Sequence, residues 1–155
     1  MHSLVTSTKL RRGYELVFTV DEYYDGPRTG VANFHGEPHF YDCIFDEHRS
    51  DYSNLFRLTP IDSQTFELAL AAWRIWRNWE IAYHKQEVKW ESHPALRVNA
   101  TNYRKMAKRL ERLLKTDPQR SITRTGHFAP VANAKLLMGV LHYFQVKWSP
   151  PSTVR

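Results

Sequence analysis

The chain has 155 residues, one cysteine, 42% apolar and 25% charged residues, and a formal net charge of +6. That length suits one domain that can bury a core without staples, and the lone Cys43 excludes an internal disulfide framework or a multi-cysteine zinc site. No run approaches the roughly 20 apolar residues that span a bilayer, and the N-terminus has no apolar stretch of signal-peptide length, so a cytoplasmic protein without membrane contact is expected.

The net charge hides an asymmetry. Residues 13–62 hold ten Asp or Glu against three Arg, whereas residues 97–124 hold nine Lys or Arg against Glu111 and Asp117. Such a layout either attracts charged partners across a Debye length of about 8 Å or is satisfied within the fold.

In chain order, residues 1–12 read as a flexible basic tail and 13–148 as a single domain. Residues 14–20 alternate Tyr14, Leu16, Phe18 and Val20 with Glu15, Val17 and Thr19, the period of a strand. Residues 21–28, DEYYDGPR, carry a Gly-Pro breaker and read as a turn. Two short runs, 30–34 and 39–45, flank His35-Gly36-Glu37-Pro38, which is the best hairpin signal in the chain. A polar loop follows at 46–53, then a strand at 54–59 closed by Pro60.

Residues 62–85, DSQTFELALAAWRIWRNWEIAYHK, predict one long helix with Asp62 or Ser63 as N-cap. Its apolar rows, Leu68, Ala72, Ile75, Trp79 and Phe66, Ala69, Leu70, Trp73, Trp76, cover most of the circumference, so a buried core helix is expected. A ligand groove lined by Trp73, Trp76 and Arg77 is the alternative. Residues 87–96 read as an ordered loop across the core. Asn99 or Thr101 is placed to cap a second helix over 102–115, with Tyr103, Met106, Ala107, Leu110, Leu113 and Leu114 on one side. Its other side carries Arg104, Lys105, Lys108, Arg109, Arg112 and Lys115. Asp117-Pro118 stops it. Residues 120–125 suit a short edge strand. The stretch 131–148 is ambiguous between helix and strand up to residue 139. Alternation of Val140, His142, Phe144, Val146 and Trp148 favours a strand over 140–148. Residues 149–155 read as a flexible tail. The expected fold is α+β: a small antiparallel β-meander, a long buried tryptophan-rich helix, a basic amphipathic helix and a C-terminal strand.

Residues 23–43, YYDGPRTGVANFHGEPHFYDC, resemble the opening of a group of small bacterial hypothetical proteins. That pattern pairs a YYDGP-type turn with a following G-x-A and G-x-P-H, here Gly30-Val31-Ala32 and Gly36-Glu37-Pro38-His39. The resemblance extends weakly to the tryptophan helix and implies no activity, cofactor or catalytic residue. It marks the hairpin as the group's defining element.

No chemical constellation assembles in the sequence. His35 and His39, near Asp42, Cys43 and His48, have donor types that suit zinc but match no standard spacing, so a hydrogen-bonded turn without metal is expected. Asp21, Glu22 and Asp25 suit acid–base work or a cation, but turn chemistry explains Asp25-Gly26-Pro27. Cys43 lies in an acidic strand and reads as a buried, inert thiol. The six glycines form no phosphate-binding loop. What remains is binding. Tyr23, Tyr24, Asp25, Arg28, His35 and His39 on the hairpin, and Arg104, Lys105, Lys108, Arg109 and Arg112 on the second helix, are the candidate contact residues. The expectation is a non-catalytic protein-interaction module without cofactor. A nucleic-acid-binding accessory protein is the alternative, and a small hydrolase using Asp or His ranks last.

Overall fold

The computed structural model describes residues 10–96, 102–131 and 143–152. The basic tail up to residue 9, the capping candidates Asn99 and Thr101, the ambiguous stretch 132–142 and residues 153–155 lie outside them. Among the described residues the strands are β1 (Glu15–Leu16), β2 (Glu22–Tyr23), β3 (Pro27–Phe34), β4 (Glu37–Asp46), β5 (Asp51–Pro60), β6 (Ile122–Pro130) and β7 (Phe144–Ser149). Helix α1 (Ser63–His84) and helix α2 (Asn102–Leu113) are inserted between β5 and β6. The class is α+β, as the sequence indicates, but the sheet is larger than a small meander.

All paired strands are antiparallel, in the order β1-β7-β6-β5-β4-β3-β2. Both ends of that order belong to one short stretch of chain. Glu15 pairs with Val146 on β7, Val17 bridges Ala32 on β3, and Glu22 pairs with Thr29 on β3. The N–H groups of Phe18 and Thr19 donate to Val31 O at 2.8 and 3.1 Å, and that of Asp21 donates to Thr29 O at 2.8 Å. The sheet therefore curls until this stretch seams its two edges together, which satisfies backbone groups that an open sheet leaves unpaired. Residues 120–125 are accordingly no edge strand: β6 lies inside the sheet, bonded to both β5 and β7.

Turn chemistry sets the registers. His35 and Gly36 both have positive φ, 52° and 77°, the pattern of a two-residue turn whose twist matches the flanking strands. The Glu15 carboxylate accepts from both their N–H groups, at 3.1 and 2.8 Å. The expected turn at 21–28 is shorter, because Pro27, with its fixed φ, already opens β3. The loop after β4 is only Glu47–Ser50, since Asp51 begins β5.

Inside the curl, Tyr41, Phe56, Phe128 and Trp148 pack with ring centroids 5.2 to 6.3 Å apart. Val17, Ala32, Leu58 and Val146 complete the core. Gly30 stands where a Cβ would collide with Thr19 O and the Tyr41 hydroxyl. Along the seam the buried residues are Val17 and Thr19 rather than the larger Leu16, Phe18 and Val20. The reason is that the segment is covered on both sides: Phe18 meets Phe66 of α1 edge-on at 4.8 Å.

Helix α1 is not a buried core helix. Asp62 caps it, accepting from Thr65 N at 2.8 Å, but only Thr65, Ala69, Leu70, Ala72 and Arg77 are buried. Small residues bring it close to the sheet, and Trp73, Trp76 and Trp79 remain half-buried. The rings satisfy one another instead of lying under a further layer. Trp79 stacks on Tyr83 at 4.9 Å, and His93 meets both Trp76 and Trp79 edge-on at 4.6 and 4.5 Å. Helix α2 has no buried residue. Trp76 stacks on its Tyr103 at 6.1 Å. Past its end, the Thr116 hydroxyl donates to Asp42 at 2.9 Å and Asp117 N donates to the Thr59 hydroxyl at 3.2 Å.

Candidate functional site

The expected contact residues fall in three places. Tyr23, Tyr24, Asp25 and Arg28 gather at the start of β3. Tyr23 and Tyr24 are 50% and 69% exposed. The Arg28 guanidinium is already engaged: it donates to Tyr24 O and Asp25 O at 2.7 and 3.0 Å and lies 4.5 Å over the Tyr52 ring. Asp25 has φ 53°, and its role there is the turn. His35 and His39 flank the far end of the same strand, about 25 Å away by strand rise. The Phe34 ring lies between them, and His39 Nδ1 is bonded to Glu37 O at 2.8 Å. The structure thus separates the two hairpin groups. Among the described residues no three His, Cys, Asp or Glu side chains converge as metal ligands.

The third place is α2. Arg104, Lys105, Lys108, Arg109 and Arg112 are all exposed. At about 100° per residue they occupy one arc of about 140°. Among the described residues none of them makes an ion pair; the two salt bridges are Arg77–Glu80 and Arg120–Asp117. No carboxylate of the acidic sheet segment is thus ion-paired with this face among the described residues, although Arg109 shares a shallow groove with Asp62 and Glu67 at the start of α1.

On the opposite side of α2 the structure opens a cleft of about 630 Å³ between both helices and the outer face of the sheet. Phe40 and Thr29 form its floor, Trp73 and Trp76 one wall, and Tyr103, Leu110 and Leu114 the other. Trp73 and Trp76 thus line a groove, whereas Arg77 turns away from it. Arg77 is buried between the Trp73 and Tyr143 rings, with Glu80 at 3.5 Å and, among the described residues, its Nε and Nη2 without a hydrogen-bond partner. Three carboxylates, Asp21, Glu22 and Glu111, also line the cleft, and no basic residue is among its described lining.

Asp21 ends the seam segment. The residue as a whole is exposed, while protein crowds its carboxyl. Desolvation pushes it up to about 6, against the hydrogen bond from Thr19 and helped by the Glu22 charge. The crowding fixes the direction; the exposure of the residue limits the size, because water still solvates the anion. The buried Tyr41 phenol is raised well above its ordinary value by burial and then by Asp21, and Tyr103 is raised for the same reasons in the same order. Asp21 and Glu22 can be picked out in the sequence as acids; what hides their setting is that the cleft walls come from α1 and α2, far along the chain.

Cys43 is buried and bonded to Ser53 O at 3.2 Å. Burial raises its thiol, and the facing Arg28 only partly offsets this, which disfavours the reactive thiolate. Beside α2 stands an aromatic patch in which Tyr83 and Trp90 are 39% and 53% exposed. It is fixed by Trp79 Nε1 donating to the Ser92 hydroxyl at 2.9 Å. No helix of the described residues is long and apolar enough to cross a membrane. No family model, no curated protein and no solved structure matches the chain.

Proposed function

We propose that the protein is a binding module that docks an acidic partner protein on the basic face of α2. The observation behind this reading is that five exposed cations share one helical arc and have no acidic partner among the described residues. A helix face that only had to be solvated would gain from neighbouring acids spaced three or four residues away. Here Glu111 is the only acid in the helix, so of the five cations only Lys108 has an acid of the helix at that spacing, and none is ion-paired among the described residues. Unneutralised charge of one sign raises encounter rates with an oppositely charged surface and contributes little to folding.

A second reading, nucleic-acid binding, gains from the exposed Tyr83 and Trp90 rings. The stack of Trp76 on Tyr103 ties their cluster to the first turn of α2, so a strand crossing that turn could meet both the rings and the cations. Fluorescence anisotropy with a labelled acidic peptide and with a labelled oligouridine tests both. The double variant Lys108→Glu/Arg112→Glu should keep its melting curve and lose at least about tenfold in peptide affinity. Unchanged peptide binding by the folded variant would remove the proposal. Tighter oligouridine binding that Trp90→Ala weakens would favour the second reading.

A further inference from the structure

We infer that the cleft between the sheet and the two helices is a binding site for a small amphipathic organic cation, an apolar or aromatic body carrying a protonated amine. This site lies on the side of α2 opposite the basic face and is independent of the function proposed for that face.

The size comes first. About 630 Å³ lies within the range of sites that enclose a small organic ligand. The walls determine the body of the ligand. Trp73 and Trp76 on one side and Tyr103 on the other offer flat apolar faces, with Phe40 beneath. Such rings gain most from an aromatic or aliphatic body inserted between them, and their faces attract a cation.

Charge determines the head group. Every ionised side chain in the described lining is a carboxylate: Asp21 and Glu22 on the seam segment and Glu111 on α2. None of the three forms a salt bridge within the described protein. An anionic ligand would meet three like charges with no cation among the described lining to offset them. A neutral ligand would leave Asp21 crowded and without a cation. An ammonium group beside Asp21 resolves that conflict. It would also offset the partial desolvation that raises the Asp21 carboxyl.

The same geometry makes binding pH-dependent. The groups acting on Asp21 are Thr19 and Glu22 on its own segment, Tyr41 on β4 and Tyr103 on α2; Glu111 on α2 also lines the cleft, and α1 contributes only apolar residues to the described lining. Protonation of Asp21 removes the counter-charge, so affinity for an amine should fall as pH drops through about 6.

Isothermal titration with three probes of one shape tests the assignment: tryptamine, tryptophol and indole-3-acetate, which are cationic, neutral and anionic. At about pH 7.5 tryptamine should bind at least about tenfold tighter than indole-3-acetate. Asp21→Asn should remove about tenfold of tryptamine affinity and leave tryptophol unchanged. Ala107→Trp, which projects a ring into the cleft from exposed α2, should abolish binding of both. Absence of tryptamine binding, equal binding of cation and anion, or an unaffected Asp21→Asn variant would each overturn the inference.

Discussion

The seam between the N-terminal segment and β3 can be tested through Gly30. A Cβ there would enter the space of three atoms at once: the carbonyl oxygen of Thr19, and the hydroxyl oxygen of Tyr41 with the ring carbon that bears it. The two oxygens are themselves hydrogen-bonded, with Tyr41 Oη donating to Thr19 O at 2.9 Å, and both residues are buried. Neither partner can yield cheaply. Thr19 is held by its own N–H bond to Val31 O at 3.1 Å, and its hydroxyl accepts from Val31 N at 2.9 Å. The Tyr41 ring is held between Phe56 and Phe128. Overpacking of this kind costs about 1–3 kcal/mol, and leaving a buried hydrogen-bonding group unpaired costs a further 1–3 or about that. Gly30→Ala should therefore lower stability by about 3 kcal/mol or more in urea melts followed by tryptophan fluorescence. Tyr41→Phe alone should cost about 1 kcal/mol. In the double variant the ring no longer carries the oxygen that the Cβ strikes, so the combined loss should be smaller than the two single losses added. A Gly30→Ala loss under about 1 kcal/mol, or strict additivity, would show that the segment does not sit on β3 as described.

Other perturbations probe the helices and the cleft. Trp76→Ala should cost about 2 kcal/mol in the same melts, less than a full core deletion, because the ring is half-buried and stacked on Tyr103. A loss above about 4 kcal/mol would return it to the core. Arg77→Met should leave stability unchanged or raise it, since among the described residues the buried guanidinium has two nitrogens without a hydrogen-bond partner and one long contact to Glu80. A loss above about 2 kcal/mol would contradict that account. The raised Asp21 carboxyl has a definite sign: its folded-state value of about 6 exceeds the ordinary value of 3.8, so the native protein holds the extra proton between them. Its contribution is most favourable at low pH and is lost as pH rises through about 6. Asp21→Asn should therefore be more stable than the parent at about pH 7.5, by about 1 kcal/mol once solvent screening is allowed for, and the gap should close near pH 4. A gap independent of pH would refute the desolvated setting of the carboxyl.

Local signals in the sequence translated well into structure. The His35-Gly36 turn, the Asp62 cap and the strand through Phe144, Val146 and Trp148 are each specified by residues adjacent in the chain, and each is present. The closure of the sheet was not legible, because its pairs join residues as distant as Glu15 and Val146, and a two-residue strand has no periodicity of its own. The tryptophan helix misled for a different reason. Apolar coverage around a helix signals burial only if other elements supply the cover. Here Trp76, Trp79, Trp90, Tyr83 and His93 cover one another and leave edges in water. The basic face of α2 was legible because five cations at helical spacing need no tertiary partner to be placed. The cleft behind it was not, since its acids and its rings come from separate parts of the chain.

Why the cleft stays open follows from how α2 is held. A helix with apolar residues such as Leu110 and Leu114 on its inner side would normally settle onto the sheet until they were buried. Here it is fixed near both ends instead. The Tyr103 ring rests on Trp76 at 6.1 Å, and about 20 Å further along by helix rise the chain is anchored by Thr116 to Asp42 and by Asp117 to Thr59. The Trp76 indole sets one end at the height of a large ring, and a Phe40 floor meets the inner side between the supports. The helix therefore bridges the sheet rather than lying on it. The space beneath holds three carboxylates, whose hydration would be lost if the gap closed around them. The same supports turn the opposite arc of α2 outward, which is why one short helix presents its cations to solvent and an acidic, aromatic cavity to the core side.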